Sequence, residues 1–144
     1  MITLRNTLLR GAVAAALALP LAAAAQMTPG MYEYTIKISM PGGPGNMPPQ
    51  TSQRCLGAKD LEGNKAYQMP QGPGSDCQVK DLKESGGKFS YKMACTKPQK
   101  LDGNVQGAFT PTSMNMDMTM TMEGMPGPMT QSITAKRTGD CKPS

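Results

Sequence analysis

Met114-Asn115-Met116-Asp117-Met118-Thr119-Met120-Thr121-Met122 sets a thioether on every even position and a polar side chain on every odd one. A period of two gathers all five sulfurs on one face of an extended strand, whereas a helix would spread them around its circumference. The stretch therefore predicts a half-buried β-strand. Upstream, Leu101, Val105 and Phe109 alternate with Asp102, Asn104, Gln106 and Ala108, which predicts its partner. A tight turn at Pro111-Thr112 puts Phe109 opposite Met114 and Val105 opposite Met118. Gly107 and Gly103 then fall opposite Met116 and Met120, leaving room for the long side chains. Downstream, residues 124–128 read as a turn, and 129–138 return with Met129, Ile133 and Ala135 on one face. The Met strand is expected to lie between two neighbours in an antiparallel meander.

A second hairpin gives a test of register. Residues 76–84 and 88–96 flank Ser85-Gly86-Gly87, read as a three-residue, Gly-containing turn. Folding about Gly86 sets Cys77 opposite Cys95, Val79 opposite Met93 and Asp81 opposite Tyr91, with Phe89 on the same face. Opposed strand positions hold their Cβ atoms about 4.5–5.5 Å apart, near enough for a disulfide after local adjustment. The expected pairing is Cys77–Cys95, which leaves Cys55–Cys141 by elimination.

Towards the N-terminus, Tyr32, Tyr34, Ile36, Ile38 and Met40 alternate with Glu33, Thr35, Lys37 and Ser39 in another one-sided strand. Residues 41–49 are Pro/Gly-rich and form neither helix nor ladder. Residues 50–56 read as a strand carrying Cys55, 58–64 as a single helical turn and 68–74 as loop. A weak internal echo joins Met40-Pro41-Gly42 to Met125-Pro126-Gly127, each following a strand. The expected architecture is all-β: a single antiparallel sheet of about six strands, curved into a half-barrel or small sandwich and stapled by disulfides.

Residues 1–25 read as a cleaved secretory signal peptide. Arg5 and Arg10 supply a positive start, residues 11–25 an uncharged apolar run, and Ala23-Ala24-Ala25 a small-residue cleavage site before Gln26. The run is broken by Pro20 and falls short of the roughly 20 residues a spanning helix needs, so no transmembrane anchor is expected. The mature domain is then residues 26–144, in a periplasm of the Gram-negative type. All four cysteines lie there, an even number in an oxidising compartment, where disulfides are the default. A four-thiolate metal site is disfavoured by the absence of any CxxC pair.

The 144 residues include no His and no Trp, and 15 basic against 10 acidic residues give a net charge of +5. Without His there is no Ser-His-Asp triad and no Cys-His pair. Neither a P-loop, a G-x-S-x-G elbow, a G-x-G-x-x-G turn nor an H-E-x-x-H pair occurs. The carboxylates are scattered singly, and Asp76, Asp81 and Asp140 fit turns or surface. The expectation is a non-enzymatic protein without catalytic residues, cofactor or metal. Its basic residues are dispersed along the chain without a Lys/Arg run, which disfavours nucleic acid.

Several of these segments, taken in order, resemble a bacterial secreted family known as domain of unknown function 3617. They are Thr28-Pro29-Gly30-Met31-Tyr32-Glu33, Met40-Pro41-Gly42, Met47-Pro48-Pro49-Gln50-Thr51 and Cys55-Leu56. Gly74-Ser75-Asp76-Cys77, Tyr91-Lys92-Met93-Ala94-Cys95, the Met strand and Gly139-Asp140-Cys141 continue the likeness. Tyr32 stands where the family commonly has Trp, which keeps an aromatic there. The resemblance implies a periplasmic β-rich domain with paired cysteines and brings no catalytic residues.

The Met stripe admits three readings. The plainest is core, because period-two apolar faces are buried. The second is a lining for an apolar ligand or cell-envelope component, since flexible, polarizable Met accepts varied apolar partners. Its candidate residues are Met114, Met116, Met118, Met120 and Met122, with Met47 and Met125 at the rims of the flanking loops. The third is a soft-metal site, because thioethers suit Cu(I) and M-x-M spacing aligns two sulfurs. Reversible sulfoxide formation at loop methionines is a further, incidental chemistry. The expected function is non-enzymatic binding of an apolar or envelope-associated partner. Cu(I) binding and a purely structural envelope role are the alternatives.

Overall fold

The computed structural model describes residues 26–42, 47–63, 65–68 and 73–142. Residues 1–25, where the signal peptide is expected, and parts of the two Pro/Gly loops therefore lie outside the described residues. Within them the alternating segments become β1 (Gly30–Ser39), β2 (Gln50–Leu56), β3 (Asp76–Ser85), β4 (Lys88–Lys97), β5 (Leu101–Thr110), β6 (Ser113–Met122) and β7 (Met129–Gly139). They form one antiparallel sheet in the order β2-β1-β7-β6-β5-β4-β3. Strands β3 to β7 make a meander; β1 then lies against β7 and carries β2 on its far side. There are seven strands rather than about six, and each falls on a segment whose alternation or position reads as a strand in the sequence. One sheet is present, not the two of a sandwich. The helical turn expected over 58–64 is a 3₁₀ turn confined to Ala58–Asp60.

The pattern of alternation decides which face is covered. Tyr32, Phe89, Tyr91, Val105, Phe109, Met114, Met116, Met118, Met120, Ile133 and Ala135 are all buried on the inner face. The outer face carries Thr, Ser, Asn, Gln and Lys. A single sheet must cover its apolar face with something else. Here Met27 before β1, Leu56 at the end of β2 and Tyr67 beyond it are buried with it. Tyr32 is 0% exposed and donates its hydroxyl to the carbonyl of Thr28 at 2.6 Å. The N–H of Thr28 donates to the carbonyl of Pro111 at 2.8 Å, so the N-terminal segment is tied to the β5–β6 turn.

The β5–β6 register is as expected: Phe109 faces Met114, Val105 faces Met118, and Gly107 and Gly103 face Met116 and Met120. The space at Gly107, however, is taken by a ring. A Cβ there would collide with the Asn115 carbonyl and the Phe89 ring. At Gly103 the neighbour is the Met120 Cγ at 3.3 Å.

The β3–β4 hairpin departs from the expected register at two points, at its open end, where Asp76 pairs with Lys97, and towards the turn. Cys77 pairs with Cys95 and Val79 with Met93, but Asp81 does not sit opposite Tyr91. The turn is the two-residue Gly86-Gly87, with φ of 59° and 76°, and Ser85 pairs with Lys88. Two consecutive left-handed residues suit the right-handed twist of paired strands, which selects this turn over a three-residue one. The surplus residue is absorbed as a bulge between Lys80 and Lys83, with Asp81 at φ 54°. Asp tolerates that left-handed conformation better than most side chains. The bulge also flips the alternation. Leu82 and Glu84, rather than Asp81 and Lys83, share the inner face with Cys77.

Cys77–Cys95 and Cys55–Cys141 are both bonded, at sequence separations of 18 and 86. The echoing turns pack on one another. A Cβ on Gly127 would lie 3.0 Å from the Pro41 ring, and one on Gly42 would lie 3.5 Å from that of Pro126. Folding also gathers basic residues that are dispersed in sequence. Lys80 pairs with Lys92 and Lys83 with Ser90 on the outer face of β3–β4. Asp81 bonds Lys92 at 3.0 Å, and that ammonium holds its carboxyl below the usual range.

Candidate functional site

The segment between β2 and β3 crosses the inner face and stops short of filling it. Its anchor is Tyr67. That ring stacks on Phe89 at 4.2 Å and lies 5.9 Å from Phe109. Its hydroxyl donates to the Glu84 carboxylate, and Tyr91 donates its hydroxyl to the Tyr67 carbonyl at 3.0 Å. Burial, then the Glu84 bond and charge, push the Tyr67 phenol well above its ordinary pKa. Near β2 the Gly57 N–H donates to the Asp60 carboxylate at 2.9 Å and closes the 3₁₀ turn. The described part of this strap is thus docked on the inner face through Tyr67.

Beneath it runs a groove of about 630 Å³ between the strap and β2, β1, β7 and β6. Its floor is Met114, Met116 and Ile133, and Tyr34, Ile36 and Leu56 make one wall. Ala66, Tyr67 and Gln68 from the strap make the other, while Ser52, Arg54, Asp60 and Lys65 stand at the polar edge. The size falls in the range of about 300–1,000 Å³ typical of small-ligand sites, and the lining joins an apolar floor to a polar edge that Gln68 and Gln131 extend. Arg54 lies 3.8 Å from Asp60 and Lys65 lies 3.9 Å from Glu62, all with exposed side chains. Such surface pairs contribute little to stability. Burial raises the Tyr34 phenol, and the nearby Arg54 charge partly offsets it.

The expected Met residues are divided among different surroundings. Met114, Met116, Met118 and Met120 are 1–4% exposed, so the greater part of each side chain is packed. Met114 and Met116 also show a surface to the groove. Met118 borders a second hollow of about 490 Å³ with Ile38, Met47 and Pro49. Met120 pairs with Met129, and Met122, half-buried, closes β6 opposite Leu101. Met125 is exposed in the β6–β7 turn, away from both groups. Among the described residues no cluster of three or more His, Cys, Asp or Glu could hold a metal ion.

Sequence reasoning passed over Tyr67, Glu84, Arg54 and Tyr34 as a set. One signal was available. Tyr67 is an aromatic between a turn and a Pro/Gly loop, where an apolar ring has a reason to exist only if it docks elsewhere. Glu84 could not be found without the bulge, since simple alternation puts it on the outer face.

Among the described residues no helix is long and apolar enough to cross a membrane. A family model described as a protein of unknown function, DUF3617, matches residues 27–141. No curated protein and no solved structure matches the chain.

Proposed function

The chain belongs to this family of proteins of unknown function, and we propose that it is an exported, non-enzymatic binding module that takes an apolar ligand beneath its strap. The observation that carries the reading is the groove itself. It is a space of about 630 Å³ whose floor is Met114, Met116 and Ile133 and whose roof is fixed by Tyr67. Its half-buried lining residues Tyr34, Ile36 and Ala66 keep apolar surface in contact with water, and an apolar occupant removes that area from water at roughly 25 cal/mol per Å². Thioether side chains suit such a floor because they rearrange around ligands of varied shape. Export by residues 1–25 into the periplasm belongs to the same reading and is supported by the two disulfides, which persist in oxidising compartments.

The test is displacement of an apolar fluorophore such as N-phenyl-1-naphthylamine from the disulfide-bonded protein by 1-decanol. Ile36 is a half-buried wall residue, and Ile36→Lys is expected to abolish uptake while the circular dichroism spectrum is retained. Absence of uptake by the parent protein overturns the reading. So does Cu(I) uptake that is lost in a Met118→Leu/Met120→Leu variant. Export is checked separately by sequencing the N-terminus of the periplasmic protein, expected to begin at Gln26.

A further inference from the structure

Two donors stand at the groove with spare bonding capacity. Arg54 is the one cation among the inner-face positions of β2, directly opposite Tyr32 in the register. A guanidinium offers five N–H donors. Among the described residues Arg54 makes no hydrogen bond, and its one ionic neighbour is the Asp60 Oδ1 at 3.8 Å. The other Asp60 oxygen, Oδ2, is already engaged by the Gly57 N–H at 2.9 Å. The hydroxyl of Tyr34, from the adjacent strand, likewise has no hydrogen-bond partner among the described residues and lines the same groove. The influence of Arg54 on the Tyr34 phenol places the two groups within electrostatic reach. Lys65, on the strap, stands at the same edge with its charge shared with Glu62 at 3.9 Å, so Arg54 is the donor that faces the groove.

An apolar floor with one cationic, donor-rich end is complementary to a molecule built the same way. We infer that the groove takes a single-chain amphiphile with a carboxylate or phosphate head, its tail over Met114, Met116 and Ile133 and its head at Arg54 and Tyr34. This rests on the apolar-groove reading above and adds the head group to it. The head accepts bonds from the planar guanidinium fork, which matches the two oxygens of a carboxylate or phosphate. Asp60 stays attached to the Gly57 N–H through Oδ2, and its 3.8 Å approach to Arg54 leaves guanidinium donors for the head.

Calorimetric titration of the disulfide-bonded protein with decanoate, decyl phosphate and uncharged 1-decanol, each below its aggregation limit, tests this. Both anions are expected to bind more tightly than decanol. Arg54→Gln should weaken the anions by about tenfold or more, the scale of one charge-assisted bond, and leave decanol unchanged. The Arg54 side chain is 58% exposed, so its loss leaves the sheet intact. Arg54→Lys should recover part of the loss by keeping the charge without the fork. Equal affinity for all three ligands, or anion binding indifferent to Arg54→Gln, overturns the head-group assignment while the apolar groove stands. Failure of all three to bind overturns both. Arg54-dependent retention on phosphatidylglycerol vesicles without uptake of monomeric decanoate overturns the single-chain occupant in favour of a membrane surface.

Discussion

Gly107 shows how one missing side chain organises three strands. It pairs with Met116 on β6 and with Phe89 on β4, and the Phe89 ring occupies the space where its Cβ would be. Gly107→Ala is expected to cost about 1–3 kcal/mol, the scale of overpacking against backbone and a ring. Gly103→Ala, which meets the Met120 Cγ at 3.3 Å and otherwise only ordinary contacts with the Thr119 carbonyl and the Met93 Cε, should stay within about 1 kcal/mol of the parent. Urea denaturation of the pair separates steric demand from strand propensity. Tyr67 gives a second residue-scale prediction. Its phenol is raised first by burial and then by Glu84, so the neutral form favours the fold. That contribution is complete below the unfolded value of about 10 and is lost as pH climbs towards the folded one. The melting temperature should therefore fall above about pH 10, and Tyr67→Phe should flatten the fall. Tyr32 and Tyr34 are shifted in the same direction by burial and leave a residual slope.

The behaviour of whole strands explains what could and could not be read from the chain. The β5–β6 register was legible in full because alternation and a tight turn agree over ten uninterrupted pairs. In β3–β4 the outer half was legible and the inner half was not. Both turn lengths satisfy Ser85-Gly86-Gly87, and only the twist of the paired strands chooses between them. The choice moves Leu82 and Glu84 to the inner face, and with them the anchor for Tyr67. The strap was not legible for a related reason: period-two patterning describes strands and says nothing about a segment held by one ring and two hydrogen bonds. The bulge predicts its own mutational signature. Asp81→Gly preserves the left-handed backbone and should be tolerated, whereas Asp81→Val, β-branched at φ 54°, should lower the melting temperature. Lys80 opposite Lys92 is a like-charge pair, and Lys80→Glu should stabilise the hairpin by a few tenths to about 1 kcal/mol.

At the scale of the molecule, the two disulfides do different work. Cys77–Cys95 spans 18 residues within one hairpin, and Cys55–Cys141 spans 86 and ties the end of β2 to the chain just past β7. Chain entropy assigns the longer loop about 4–5 kcal/mol and the shorter about 3 kcal/mol. Cys55→Ser/Cys141→Ser should accordingly depress the denaturation midpoint more than Cys77→Ser/Cys95→Ser. The former should also weaken ligand uptake, because β2 forms a groove wall and is an edge strand with one hydrogen-bonded neighbour.

The place of β1 has a consequence for how the polypeptide reaches this state. Met31 pairs with Gly139, and Ser39 with Thr130, so an early segment waits on β7, about a hundred residues further along. Synthesis from the N-terminus delivers the first hairpin long before its central partner exists. The meander can assemble in order, but the register of β1 within the sheet is settled only once β7 is in place. A nascent chain halted before residue 129 presents β1 with one bare flank, and premature release is more damaging here than in a sheet whose neighbours follow one another in order.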